Sequence, residues 1–231
     1  MNQLNQILIV YLTTPASDFY LSKMLAKSKD PSLEPFNASN VDAGSIDFYG
    51  QTIDVKLQDL SIAGLTNIQI EKKDGKPRID INGDLVTFIA NRPNTEAPPQ
   101  GIPEKLIASG QLLIVAGGEN SPLVPVTITV NTGQLTGTFS ATGEPTQPDS
   151  VNIKFTNLTI TTDATPENIV VDLSQLDSVF KPQIEELLKK PETLADLVGK
   201  LNDQVGTSSV LDAVSNAGTQ AAQQALKSFV G

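Results

Sequence analysis

The chain has 231 residues and contains no Cys, no His and no Trp, which excludes disulfides, thiolate zinc sites and every mechanism that needs a thiol or an imidazole. Asp and Glu outnumber Lys and Arg by 26 to 16, for a net charge of −10, and no local basic patch offsets it, so nucleic acid is excluded as a partner. Apolar residues make up 39% of a chain long enough to bury its own core, so a single globular domain over residues 1–231 is expected.

Residues 1–30 read as an N-terminal helix. Leu4, Ile7, Leu8, Tyr11 and Leu12 share one face at helical spacing. Pro15 interrupts, and Leu21, Met24 and Leu25 resume the stripe with Ser17 as an N-cap, giving one kinked helix or two short ones. A strand over 7–14 is the rival reading, because Ile-Leu-Ile-Val-Tyr also suits a pleated surface. The apolar run Ile7–Leu12 is too short for a secretory signal and carries no preceding positive charge, Lys23 being the first basic residue. No window approaches the ~20 apolar residues that cross a bilayer, so no integral membrane segment is expected. The chain is expected to be soluble, in a compartment the sequence does not fix. Sequons stand at Asn37-Ala-Ser39 and Asn157-Leu-Thr159.

Residues 30–45 hold Pro31, Pro35, Asn37, Asn40 and Gly44 and read as a loop. Residues 45–171 read as an antiparallel sheet. Ile53, Val55 and Leu57 alternate with polar residues, and Ile79, Ile81, Leu85 and Ile89 share a parity, as do Leu106, Ala108, Leu112 and Ile114, then Val124, Val126, Ile128 and Val130, and Leu135 and Phe139. Asp74-Gly75, Gly117-Gly118, Asn131-Thr132-Gly133 and Gly143-Glu144-Pro145 punctuate the strands. Pro125 requires its strand to be an edge at that point or to start after it.

One segment echoes another. Residues 53–62, Ile-Asp-Val-Lys-Leu-Gln-Asp-Leu-Ser-Ile, lie over 151–160, Val-Asn-Ile-Lys-Phe-Thr-Asn-Leu-Thr-Ile, with every position alike in chemical type. Both change apolar parity at the same place, Leu57 to Leu60 and Phe155 to Leu158, and a parity change within a strand needs the extra residue of a β-bulge.

Residues 174–230 return to helical spacing. Ser174–Asp177 reads as a cap for a helix through about Lys190. Pro191 opens a second, with Leu194, Leu197, Val198, Leu201 and Val205 on one face. Ser209 opens a third, whose stripe narrows to alanine in its middle.

No motif carries chemistry. Ser178-Val-Phe-Lys181 fits Ser-x-x-Lys but lacks its partner motifs. Asp80-Ile-Asn82-Gly83-Asp84 lacks calcium-loop spacing and reads as a hairpin turn. Glu185 and Glu186 are adjacent on a helix and cannot flank one bond. The chain is therefore expected to be no enzyme and to hold no cofactor or metal.

The segment from Leu57 to Ile70, Leu-Gln-Asp-Leu-Ser-Ile-Ala-Gly-Leu-Thr-Asn-Ile-Gln-Ile, resembles the strand, Gly-Leu corner and strand of the tubular lipid-binding superfamily. That superfamily includes the bactericidal permeability-increasing, juvenile-hormone-binding and takeout proteins, the mite group-seven allergens and the bacterial OrfX-type proteins. The missing disulfide points to a bacterial branch. The resemblance implies an α+β fold in which a long curved antiparallel sheet wraps a long C-terminal helix beside an apolar tunnel. The residues agree, because a sheet with one apolar face must bury it and the alanine-rich helix leaves room beside itself. The lining is expected from Phe48, Ile62, Leu65, Ile70, Leu112, Ile114, Phe139, Phe155, Leu187 and Leu211. The partner implied is a lipid or other hydrophobic small molecule. The alternative is a structural or interaction subunit of a toxin or secretion assembly, with a protein partner and no small ligand.

Overall fold

A computed structural model describes residues 3–30, 32–38, 40–131, 133–162, 165–176 and 179–230. The chain is α+β. It begins with two short helices, α1 (Gln3–Thr13) and α2 (Leu21–Ala26), separated at Pro15. Ser17 does not cap α2. Its hydroxyl accepts from the Phe19 N–H at 2.9 Å and shapes the turn ahead of the helix, whose N-cap position is Tyr20.

The expected loop over 30–45 is partly strand. β1 (Phe36–Ala38) and the start of β2 (Val41–Phe48) lie within it, two short alternations that the proline and asparagine breakers hide. There follow β3 (Gln51–Ala63), β4 (Gln69–Ile70), the small hairpin β5 (Lys72–Lys73) and β6 (Lys76–Pro77), then β7 (Ile79–Asn82), β8 (Leu85–Arg92) and β9 (Leu106–Ala116). Next come β10 (Glu119–Asn120), β11 (Val124–Val130), β12 (Gly133–Thr142), β13 (Asn152–Thr161) and β14 (Ile169–Asp172). The chain ends in α3 (Lys181–Lys189), α4 (Pro191–Val205) and α5 (Ser208–Val230). Among the described residues, no helix is long and apolar enough to cross a membrane.

The strands form two large antiparallel sheets. The seven-stranded sheet runs β1-β3-β9-β11-β14, with β2 also on β3 and β10 on β9. The five-stranded sheet runs β13-β12-β8-β4, with β7 also on β8. The chain crosses from the first sheet to the second between β11 and β12, so the turn signal at 131–133 marks a change of sheet. β14 reaches only to Thr127, which leaves β11 an edge at Pro125 as that residue requires. The Asp80–Asp84 stretch is the β7–β8 hairpin, with Gly83 at φ +64° in its turn.

The echoed segments are β3 and β13, and both are bulged where their parity changes. In β3 the pairing jumps from Gln58↔Gln111 to Ser61↔Ser109, leaving Asp59 (φ +51°) and Leu60 facing Gly110. In β13 it jumps from Phe155↔Phe139 to Asn157↔Thr138, leaving Thr156 unpaired, and Leu158 faces Gly137. The two sites are alike in that a leucine faces a glycine, followed by Ser61↔Ser109 in one and Thr159↔Thr136 in the other, although Thr156, the extra residue of β13, corresponds to Gln58, which is paired in β3. Each glycine gives up its side-chain space to a core residue. A Cβ on Gly110 would come within 2.9 Å of Leu60, and one on Gly137 within 2.3 Å of the Phe88 ring. The partner strand follows β3 but precedes β13, so the likeness is of a bulged strand and its facing glycine, not of two-strand units in one chain order.

Helix α3 starts at Lys181, later than the Ser174 reading, with Pro182 in its first turn where a missing N–H costs nothing. Ser174 instead donates its N–H to Asp172 at 2.8 Å, and Asp177 and Ser178 lie outside the described residues. α4 opens at Pro191 as expected, and α5 spans about 35 Å. Toward β13 its small residues are closely packed. Ala217, Ala221, Ala222 and Ala225 are buried, and Gly218 lets Phe155 and Ile153 approach. Small side chains permit close approach on the β13 side of α5, while on another side Ala213, Ala217 and Ala221 border an open groove of about 640 Å³ shared with Lys27–Asp30.

Candidate functional site

The cavity lies against α4 instead. α4 contributes Leu194, Leu197, Val198 and Leu201 from one face. The first sheet faces them with Val41, Leu57, Leu60 and Ile62, and with Ile128 and Val130 from β11. Gly133 and Ile160 bring in the edge of the second sheet. The parity change in β3 creates part of this wall, because the bulge returns Leu60 and Ile62 to the core side that Leu57 already faces.

The space is about 90 Å³ and its surface is apolar. Two polar wall residues turn their heads away. Gln134 donates its amide to Asn91 Oδ1 at 2.9 Å. Arg92, only 7% exposed, donates Nε to the Gly64 carbonyl at 2.9 Å and Nη2 to the Glu104 carbonyl at 3.4 Å. Its aliphatic stem is what lines the cavity. Burial pushes the Arg92 guanidinium down to about 10, partly offset by the Glu34 carboxylate.

Arg92 and Glu34 together fix the Gly64-Leu65 corner. Glu34 accepts from the Gly64 N–H and from the Thr66 N–H and hydroxyl. Gly64 has φ +85°, and a Cβ there would meet the Lys105 carbonyl oxygen at 2.2 Å, so only glycine fits. The corner sets Leu65 into the cavity wall.

Of the expected lining, Ile62 and Leu65 stand in this wall and the others stand elsewhere. Phe139 and Phe155 form an aromatic cluster with Phe19 and Phe88, at centroid distances of 5.4–6.5 Å. Phe48 packs edge-on against Phe180 at 4.7 Å, by the β2–β3 hairpin and far along β3 from the bulge. Leu112 and Ile114 are buried beyond the bulge toward the Gly117-Gly118 turn, and Ile70 is buried beside β8. Leu187 lies in α3 at 3.7 Å from the Cβ position of Gly44, and Leu211 is half-buried at the start of α5. These side chains fill the core.

What sequence reasoning missed is the α4 face as a wall. The signal was present as the stripe Leu194, Leu197, Val198 and Leu201, of which Leu197 and Val198 are only half-buried. The Ser-x-x-Lys reading loses Ser178 to the undescribed residues, and Glu185 accepts an ion pair from Lys189 at 2.7 Å on the α3 surface.

The chain matches no protein-family model and no curated protein. Among solved structures it is similar to the crystal structure of Epiphyas postvittana Takeout 1, with 11% identity and a TM-score of 0.40 over 95% of this chain and 90% of that one. It is also similar to the crystal structure of lipopolysaccharide binding protein, with 12% identity and a TM-score of 0.36 over 84% of this chain and 37% of that one. Identities this low and TM-scores below 0.5 leave the case for ligand binding to the chain's own cavity.

Proposed function

We propose that the protein binds and carries a lipid or other hydrophobic molecule, held by its hydrocarbon part between α4 and the two sheets. The carrying observation is the wall itself: its exposed surface is apolar, with the Gln134 amide and the Arg92 guanidinium bonded elsewhere, so the interior offers contact to hydrocarbon. Burying apolar ligand surface there is favourable by about 25 cal/mol per Å², whereas setting a carboxylate or hydroxyl against that apolar surface is unfavourable. A polar head therefore belongs outside the cavity.

Native mass spectrometry of the freshly purified protein, followed by organic extraction, tests this reading. The expected result is a mass excess that extracts as acyl or sterol species. Leu197→Trp, on the half-buried wall, should lower that loading while the protein stays folded. A clean unliganded mass, with no uptake when lipids are offered, overturns carriage and leaves the interaction-subunit reading in its place.

A further inference from the structure

We propose that α4 is the movable wall of the cavity and that Asn202 is the latch that closes it on β13. This rests on the carrier reading and adds the route by which a ligand enters.

The cavity, at about 90 Å³, is smaller than the ~150 Å³ apolar cavity that admits benzene, so a larger molecule needs a wall to yield. α4 is the wall bounded by joints. The chain is extended at Lys190 just before Pro191, and Gly206 closes the other end, so α4 does not run on into α3 or α5. Swinging α4 outward withdraws Leu194, Leu197, Val198 and Leu201 together and opens the cavity along one whole side.

Polar ties hold α4 at Asn202 and Lys200. The Asn202 amide takes both backbone groups of Ile160, accepting its N–H at 2.7 Å and donating to its carbonyl at 2.8 Å. Lys200 donates to the Asp42 carbonyl at 2.7 Å from an exposed position. α5, in contrast, holds the same strand with Ser215, Thr219 and Gln223 over three successive turns, above a buried alanine face. The outer edge of β13 is thus fastened to α5 by three residues ahead of the bulge and to α4 by Asn202 beyond it.

Stopped-flow uptake of N-phenyl-1-naphthylamine, an uncharged apolar fluorophore, tests the latch. In the wild type the observed rate should level off at high probe concentration, set by α4 opening. Asn202→Leu should raise that plateau roughly tenfold, since both Ile160 groups lose their partner. Asn202→Asp, which keeps the acceptor for the Ile160 N–H, should fall between. Equal plateaus in all three proteins overturn the latch while leaving the carrier reading intact. A wild type that takes up no probe at any concentration overturns both. Should the variants fail to fold, hydrogen exchange on the wild type decides: α4 amides should exchange at least tenfold faster than those of α5 and slow on probe binding. Equal protection of the two helices sinks the proposal.

Discussion

β3 and β13 solve the same problem by different means. Both are long strands with a mid-strand bulge, a leucine at the bulge and a glycine opposite. On the outer side of β3 two strands share the edge, β2 up to Leu57 and β1 from Leu60, so the bulge falls at the gap between them. The outer side of β13 has no strand, and helix side chains serve it instead. Ser215 accepts the Phe155 N–H at 2.8 Å, Thr219 accepts the Ile153 N–H at 2.9 Å, and Gln223 donates to the Val151 carbonyl at 2.9 Å. The spacing explains why this works. Four residues of helix rise about 6.0 Å and two residues of strand about 6.6–6.8 Å, so one helix face can stay in register with alternate strand residues for a few steps. Beyond the bulge the phase is lost, and Asn202 of α4 takes over at Ile160. An exposed edge is a liability, and a helix with short polar side chains four apart removes it as a strand would.

The largest effect that would break this comparison is at the facing glycines. Gly137→Ala puts a Cβ 2.3 Å from the Phe88 ring, and Gly110→Ala puts one 2.7 Å from the Gln58 carbonyl oxygen. Each should lower stability by about 1–3 kcal/mol in urea unfolding. If either variant is as stable as the parent, the two bulges are not equivalent. Asn5→Leu comes next and has the opposite sign. Asn5 is fully buried in α1 with neither amide atom partnered, unlike the matched groups on β13, so its removal should raise stability by about 1–2 kcal/mol. A loss would mean that the amide has a role in the fold that its missing partners hide.

Thr219→Val should cost about 1 kcal/mol and selectively speed exchange of the Ile153 amide, while the β3 amides facing β2 keep their protection. Uniform change across both strands would show that the helix ties are incidental. The smallest effect lies outside both strands and serves as their reference. Burial pushes the Tyr20 phenol above its ordinary 10, opposed by its bond to Asn94 and aided by Glu96. The raised value means that its stabilising share is present below pH 10 and is lost as pH rises through the folded-state value. Tyr20→Phe should therefore move the alkaline unfolding midpoint upward, read by circular dichroism, and an unmoved midpoint would remove Tyr20 from the account.

Local signals in the chain are legible because they are local. Alternation placed most strands, the parity change located both bulges, Pro125 marked an edge and Pro191 opened a helix. The split into two sheets was not legible, since β11 and β12 alternate alike whether or not they pair. The cavity was misplaced for a related reason. Small side chains on α5 permit contact as readily as they leave space: Gly218 is packed by Phe155, while Ala217 and Ala221 border an open groove. Ile62 and Leu65 reached the wall because they flank the corner at Gly64, a position that its backbone conformation fixes.

The guarded edge of β13 also has a temporal side. About fifty residues separate β13 from Ser215, so at ~5–20 residues per second the strand leaves the ribosome several seconds before its cover is made. During that interval Ile153, Phe155, Leu158 and Ile160 sit on an unsatisfied edge, open to any other extended chain. Truncation ahead of α5 would make the interval permanent and turn this strand into a seed for aggregation.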